Sequence, residues 1–152
     1  MTRFDREPLA GFVSPQTYLQ PRGIELLSVN GTVSTVPYEE VKVVCFVRDF
    51  EQGEPRRDFR TFSSRPKMEG LWVRMRFRDG DWMDGLLPNN LLQMEAAGFM
   101  LIPPDPGYQN QRVFVPKAAL TEMQVLGVVG TPLRLKKPKP VVREQIGLFG
   151  ES

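Results

Sequence analysis

The segment "VPYEEVKVVCFV" (36–47) returns as "VPKAALTEMQVL" (115–126): Val-Pro, three variable residues, then apolar residues in matching columns. The match extends backwards. "GFVSPQTYLQPRGIELLS" (11–28) lines up with "GLLPNNLLQMEAAGFMLIP" (85–103) with one residue of slack, so Gly11 meets Gly85, Leu19 falls beside Leu91 or Leu92, and Gly23 meets Gly98. "RFDREPLAG" is echoed by "RFRDGDWMDG", and the later copy carries an extra "PDPGYQN", which reads as a lengthened turn. A duplication constrains the fold strongly, because one backbone plan must accommodate both sequences. The chain divides into a first unit (1–50), a linker (51–69), a second unit (70–130) and a tail (131–152).

The repeat decides between helix and strand. "NNLLQMEAAGF" alone contains good helix formers behind a capping residue, Asn90. Its counterpart "TYLQPRGIEL" holds Pro21 and Gly23 in the middle, which suits a turn and not a helix interior. Strand-turn-strand is therefore expected in both. In "LWVRMRFRDG" the period is two: Val73, Met75 and Phe77 point one way, Arg74, Arg76 and Arg78 the other, and Asp79-Gly80 makes a hairpin turn. The runs "GIELLS", "VKVVCFV", "GFMLI", "RVFVP" and "MQVLGVV" are short, rich in β-branched and aromatic residues, and separated by Gly, Pro or Asn. The expected fold is all-β, about ten short strands. Each unit of about 50 residues is too small to be comfortable alone, so the two should complete each other as an intramolecular pseudo-dimer. Val-Pro should mark a strand edge where the missing N–H does no harm, and Gly11, Gly23, Gly85 and Gly98 serve the backbone.

Composition narrows the chemistry. Histidine is absent from all 152 residues, which removes the commonest general base and metal ligand and every Ser-His or Cys-His nucleophile. No "GxxxxGK[ST]", "GxGxxG" or cysteine cluster occurs either, so no enzyme, cofactor or metal site is expected. No apolar run is long enough to span a membrane, and "MTRFDREPLAGF" lacks the apolar core of a secretory signal. The single cysteine, Cys45, reads as a buried small hydrophobe in a reducing, cytoplasmic setting. The tail carries Arg134, Lys136, Lys137, Lys139 and Arg143 against Glu144 and Glu151, a net +3 within a chain of +2, which leaves the rest at −1.

On "VRMRFRDGDWMDGLL" (an alternating strand, a glycine, four residues, a second glycine and an apolar pair) and on "RVFVPKAALTEMQVL", the second unit resembles the small Sm-like barrels of Hfq and Sm type. That resemblance implies two tandem Sm-like β-barrel units, with Gly85 bending a strand that serves both sides of its barrel. The uridine-reading residues of Sm-like RNA binders have no match here: the turn reads "PNNLLQMEAAG", with Asn89 and Asn90 but no Asp, and the last hairpin holds Pro116-Lys117. Residues 1–129 also resemble an uncharacterised bacterial domain family built on this plan, through "SRPKMEGLWV" and "VFVPKAAL". "RRDFR" (56–60) resembles the Arg-x-x-x-Arg of cyclic-di-GMP-binding PilZ domains, without their downstream partner pattern.

Two surfaces are candidates for function. In the tail, "QIGLF" resembles the short peptides by which bacterial polymerases and repair proteins hold the DNA sliding clamp. Gln145 would hydrogen-bond at a rim, Ile146 fill a small site, and Leu148 with Phe149 enter an apolar pocket. The competing expectations are that the same side chains dock on the chain's own body or serve an unrelated protein partner. The second surface is the stripe Arg74, Arg76 and Arg78, which with Trp72 or Trp82, and with Lys136 and Lys137 from the tail, can track single-stranded nucleic acid. Its alternative is a solvated strand whose arginines pair with Asp79, Asp81 or cross-strand carboxylates. Oligomers through open sheet edges are a further expectation.

Overall fold

Period-two alternation and frequent Gly and Pro predict strands and little helix, and the described residues of the computed structural model agree. The structure describes residues 1–47, 61–62, 65–66, 68–104 and 112–130. Among them ten strands form and no α-helix: β1 (Thr2–Arg3), β2 (Gly11–Phe12), β3 (Gly23–Ser28), β4 (Val33–Pro37), β5 (Val41–Phe46), β6 (Gly70–Phe77), β7 (Trp82–Leu87), β8 (Gly98–Leu101), β9 (Arg112–Pro116) and β10 (Leu120–Val129). They make three antiparallel sheets, ordered β1-β5-β9-β8, β10-β6-β7 and β2-β3-β4, each of them open.

Each half repeats one strand order. In the first, β5 lies on β1, Leu9 donates its N–H to the Met1 carbonyl just ahead of β2, and β2, β3 and β4 follow side by side. In the second, β10 lies on β6, β6 on β7, and Leu86 exchanges backbone bonds of 2.9 and 3.0 Å with Ile102 just beyond β8, which pairs with β9. The likeness reaches single residues. Pro37 ends β4 opposite Gly23, Pro116 ends β9 opposite Gly98, and a single 3-10 turn follows each proline, at Tyr38–Glu40 and Lys117–Ala119. A Cβ on Gly23 would collide with the Val36 carbonyl oxygen, and one on Gly98 with that of Val115. These two glycines answer to close approach of backbone.

Two details depart from the sequence alignment. Leu91 and Leu92 are 76% and 94% exposed, and the packing role of Leu19 falls to Met94, which, like it, lies four residues before the conserved-geometry glycine. "NNLLQMEAAG" is neither plain turn nor helix. The Asn90 side chain accepts from the Leu92 N–H and holds one 3-10 turn, Leu91–Gln93, before β8 begins.

The units interlock at β5 and β9, where Val44 lies opposite Phe114 and Cys45 opposite Val113. Two apolar clusters result, and each contains residues of both units. Val43 joins Val73, Met75, Phe77, Leu87, Val113 and Val115, while Phe114 joins Tyr18, Ile24, Val36, Val41 and Val44. A bulge makes this double duty possible. Arg3 faces Val41 and Thr2 faces Val43, so two steps on β5 match one on β1, and Val41 and Val43 reach different clusters although a regular strand would aim them alike. β10 has the same irregularity between Leu120 and Glu122. Phe114 is wholly buried, with the Tyr18 ring edge-on at 6.1 Å. Cys45 is half-buried against the first cluster. From the linker, Phe62 packs edge-on against Trp72 at 6.1 Å and Arg65 donates to the Val128 carbonyl at 2.8 Å. Phe59 and the "RRDFR" segment lie outside the described residues.

Candidate functional site: the arginine face of the second unit

β6 alternates as its sequence dictates. Val73, Met75 and Phe77 are buried, Arg74 and Arg76 stand on the other face, and Arg78 follows the strand's last residue. The hairpin over Asp79-Gly80 then sets β7 opposite, with Arg74 facing Asp84 and Arg76 facing Trp82. On its other side Arg76 faces Glu122 of β10 and Arg74 faces Gln124. These residues line a shallow cleft of ≈ 190 Å³ formed by Arg74, Met75, Arg76, Trp82, Glu122 and Gln124.

The three arginines have different employment. Arg74 makes a two-pronged contact with Asp84, Nε to Oδ1 at 2.7 Å and Nη2 to Oδ2 at 3.2 Å, and its guanidinium lies 4.8 Å from the centre of the Trp82 ring. Asp84 is fully buried and also accepts the Trp72 indole N–H at 3.1 Å, which keeps a carboxylate in the interior satisfied. The hydrogen bond to Asp84 raises the pKa of Arg74 above its ordinary value. Arg78 donates to the Ala118 carbonyl at 3.2 Å and to the Glu39 carbonyl, and lies 3.9 Å from the centre of the Phe4 ring, so it ties the two units together. Arg76 is exposed and, among the described residues, reaches the Gly80 carbonyl at 3.4 Å.

Asp79 and Asp81 bind a cation of the first unit. Lys42, from β5 of the first unit, reaches Asp79 at 2.8 Å and Asp81 at 2.9 Å and sits 5.0 Å from the Phe77 ring centre. Lys42 escaped the sequence reading because the contact spans the two units. Asp84 was accessible from it: counting back across the Asp79-Gly80 hairpin places Asp84 level with Arg74. The remaining candidates, Lys136, Lys137, Gln145, Ile146, Leu148 and Phe149, lie outside the described residues.

With Arg74 neutralised by Asp84, and Glu122 beside Arg76, the cleft holds nearly balanced charge around one aromatic ring. Among the described residues no three acidic or cysteine side chains come close enough to hold a metal ion. No helix among them is long and apolar enough to cross a membrane.

Residues 1–127 match the model of a family of unknown function, DUF6982. The chain belongs to that family. The match runs from β1 into β10 as far as Gly127, and the "QIGLF" segment lies beyond it. No curated protein and no solved structure matches the chain.

Proposed function

We propose that this chain is a non-catalytic, cytoplasmic binding module: two Sm-like β units fused into one body, which a peptide in the tail recruits to the bacterial DNA sliding clamp. The observation that carries the proposal is the set Gln145, Ile146, Leu148 and Phe149, set apart from the family body by a basic, proline-containing spacer. Burying Leu148 and Phe149 in an apolar pocket contributes about 1.5–3 kcal/mol each before ordering costs. The spacer's sequence holds Pro138 and Pro140 among its lysines, the composition of a connector that loses less entropy on docking than a Gly/Ser-rich one. The Sm-like reading draws support from the halves' common strand order and from β7. Gly85 pairs with Val73 of β6, a Cβ added there would crowd Leu101 at 3.3 Å, and the next residue, Leu86, donates its amide to Ile102. The absence of histidine supports a role without acid–base catalysis.

Calorimetric titration of the full chain into a bacterial clamp tests the proposal. Micromolar binding that the Leu148→Ala/Phe149→Ala double variant weakens at least tenfold supports it. Equal binding by the two proteins, or none by the native chain, overturns it.

A second reading rests on Arg76 and Trp82: a module for single-stranded nucleic acid, with the cleft as its track. It requires affinity that falls with salt and that drops when Arg76→Ala is introduced. Binding indifferent to that substitution removes the cleft from consideration.

A further inference from the structure

The pairing that joins the two units is head-to-tail, and it leaves one unused copy of each of its halves. The fourth strand of the second unit, β9, lies on the last strand of the first, β5. By the repeat, β4 corresponds to β9 and β10 to β5. Yet β4 pairs only with β3, and β10 only with β6, among the described strands. A heterologous contact with its two surfaces both still open can be made again by the next molecule.

We propose that β4 of one copy of this chain adds to β10 of the next, in the register of the internal β5–β9 pair, to give a head-to-tail homo-oligomer. The shared bulge defines that register. Aligning Val41 with Leu120 and Pro37 with Pro116 turns the internal pairs Val44–Phe114, Cys45–Val113 and Phe46–Arg112 into Met123–Thr35, Gln124–Ser34 and Val125–Val33.

The backbone is set for this register. The Glu25 N–H donates to Tyr18, away from β4, so Glu25 and Thr35 form a pair without mutual hydrogen bonds. Thr35, and by alternation Val33, therefore direct their N–H and C=O outward. On the other edge the Phe77 N–H goes to the Asp81 carbonyl, on the β7 side. Alternation then points Arg76 and Arg74 at Glu122 and Gln124, and leaves the amides of Met123 and Val125 on the outer edge. The outward groups of the two edges fall opposite one another.

The side chains agree. Val33 is 60% exposed and Val125 59%, an apolar residue at each edge where edge strands ordinarily carry charge or proline as protection. Val33, Ser34 and Thr35, all exposed, are followed by proline only at the strand's end. Arg65 covers the Val128 carbonyl, several residues beyond the proposed contact, so the register leaves that bond in place.

Light-scattering mass measurement on the purified full chain tests the proposal, together with Val125→Glu, Val33→Lys and the double variant carrying both. The native chain is expected at a multiple of its 17.3 kDa protomer mass. Each single variant should fall at least twofold in mass with unchanged circular dichroism. The double variant should recover, because every interface then holds one Lys opposite one Glu. A single discrete mass means a closed ring and a concentration-dependent ladder an open chain, and both support the pairing. A native chain that stays at 17.3 kDa at all micromolar concentrations overturns it. So do an oligomer whose mass the single variants leave unchanged, and a double variant that fails to recover.

Discussion

β1 of the first unit has two residues where β6 of the second has eight, and β2 has two where β7 has six. Around the longer pair the second unit builds a side-chain network: Trp72 and Arg74 bond the buried carboxylate of Asp84, and Trp82 lies against the Arg74 guanidinium. The first unit has Ala10, exposed, at the place of Asp84, one residue before the matching glycine. Where backbone meets backbone, however, the halves are alike: Gly23 and Gly98 beneath a carbonyl, Pro37 and Pro116 at the strand ends, and a bulge in each last strand. Duplicated folds keep the constraints of their main chain, and side-chain networks diverge wherever solvent or a longer strand gives them room.

The comparison can be broken most decisively at Phe114, a residue of the second unit that fills the core of the first. Phe114→Ala is expected to cost about 3–5 kcal/mol, and urea unfolding should remain one transition with a lower midpoint. Two separated transitions would show that the units do not complete each other.

The glycines test backbone equivalence directly. Gly23→Ala and Gly98→Ala should each cost about 2–4 kcal/mol and agree to within about 1 kcal/mol, since each new methyl meets a carbonyl oxygen. A large difference between them would mean that the halves are not equivalent there. Arg74→Ala should cost about 2–3 kcal/mol, short of a fully enclosed pair because the Arg74 side chain is 42% exposed and water can reach the vacated carboxylate. Ala10→Asp, its mirror in the first unit, should change stability by less than about 0.5 kcal/mol, being on the surface.

The smallest effect is one of pH. Burial, with the nearby charge of Glu95 second, pushes the Tyr18 hydroxyl up to about 12 from its ordinary 10.0. The folded state then holds a proton that the unfolded state has released, so this contribution to stability is intact below pH 10 and is lost as pH rises towards 12. Thermal melts across that window should show a decline that Tyr18→Phe reduces. A decline unchanged in the variant would assign it to other groups.

Much of this architecture was legible in the chain. Period-two burial in β6, the hairpin at Asp79-Gly80, and the Val-Pro and glycine landmarks follow from residues next to one another, and local sterics act over that distance. The finer alignment was less legible. Met94 in place of Leu19 depends on where Asn90 starts its 3-10 turn, and a one-residue change in a loop reassigns which side chain faces the core. For the arginine face, the sequence showed three equivalent-looking residues. The structure distributes them among a buried carboxylate, a joint between the units and an exposed cleft.

By itself, then, the sequence determined an all-β chain with an internal sequence repeat, because alternation, turn residues and glycine spacing are written in neighbouring positions. Only the tertiary structure decided how β5 and β9 share two cores, that Lys42 answers Asp79 and Asp81 across the units, and that β4 and β10 each pair with one strand among the described residues. Those outcomes depend on groups far apart in the chain, whose meeting is set by packing and by the demand that buried polar groups find partners.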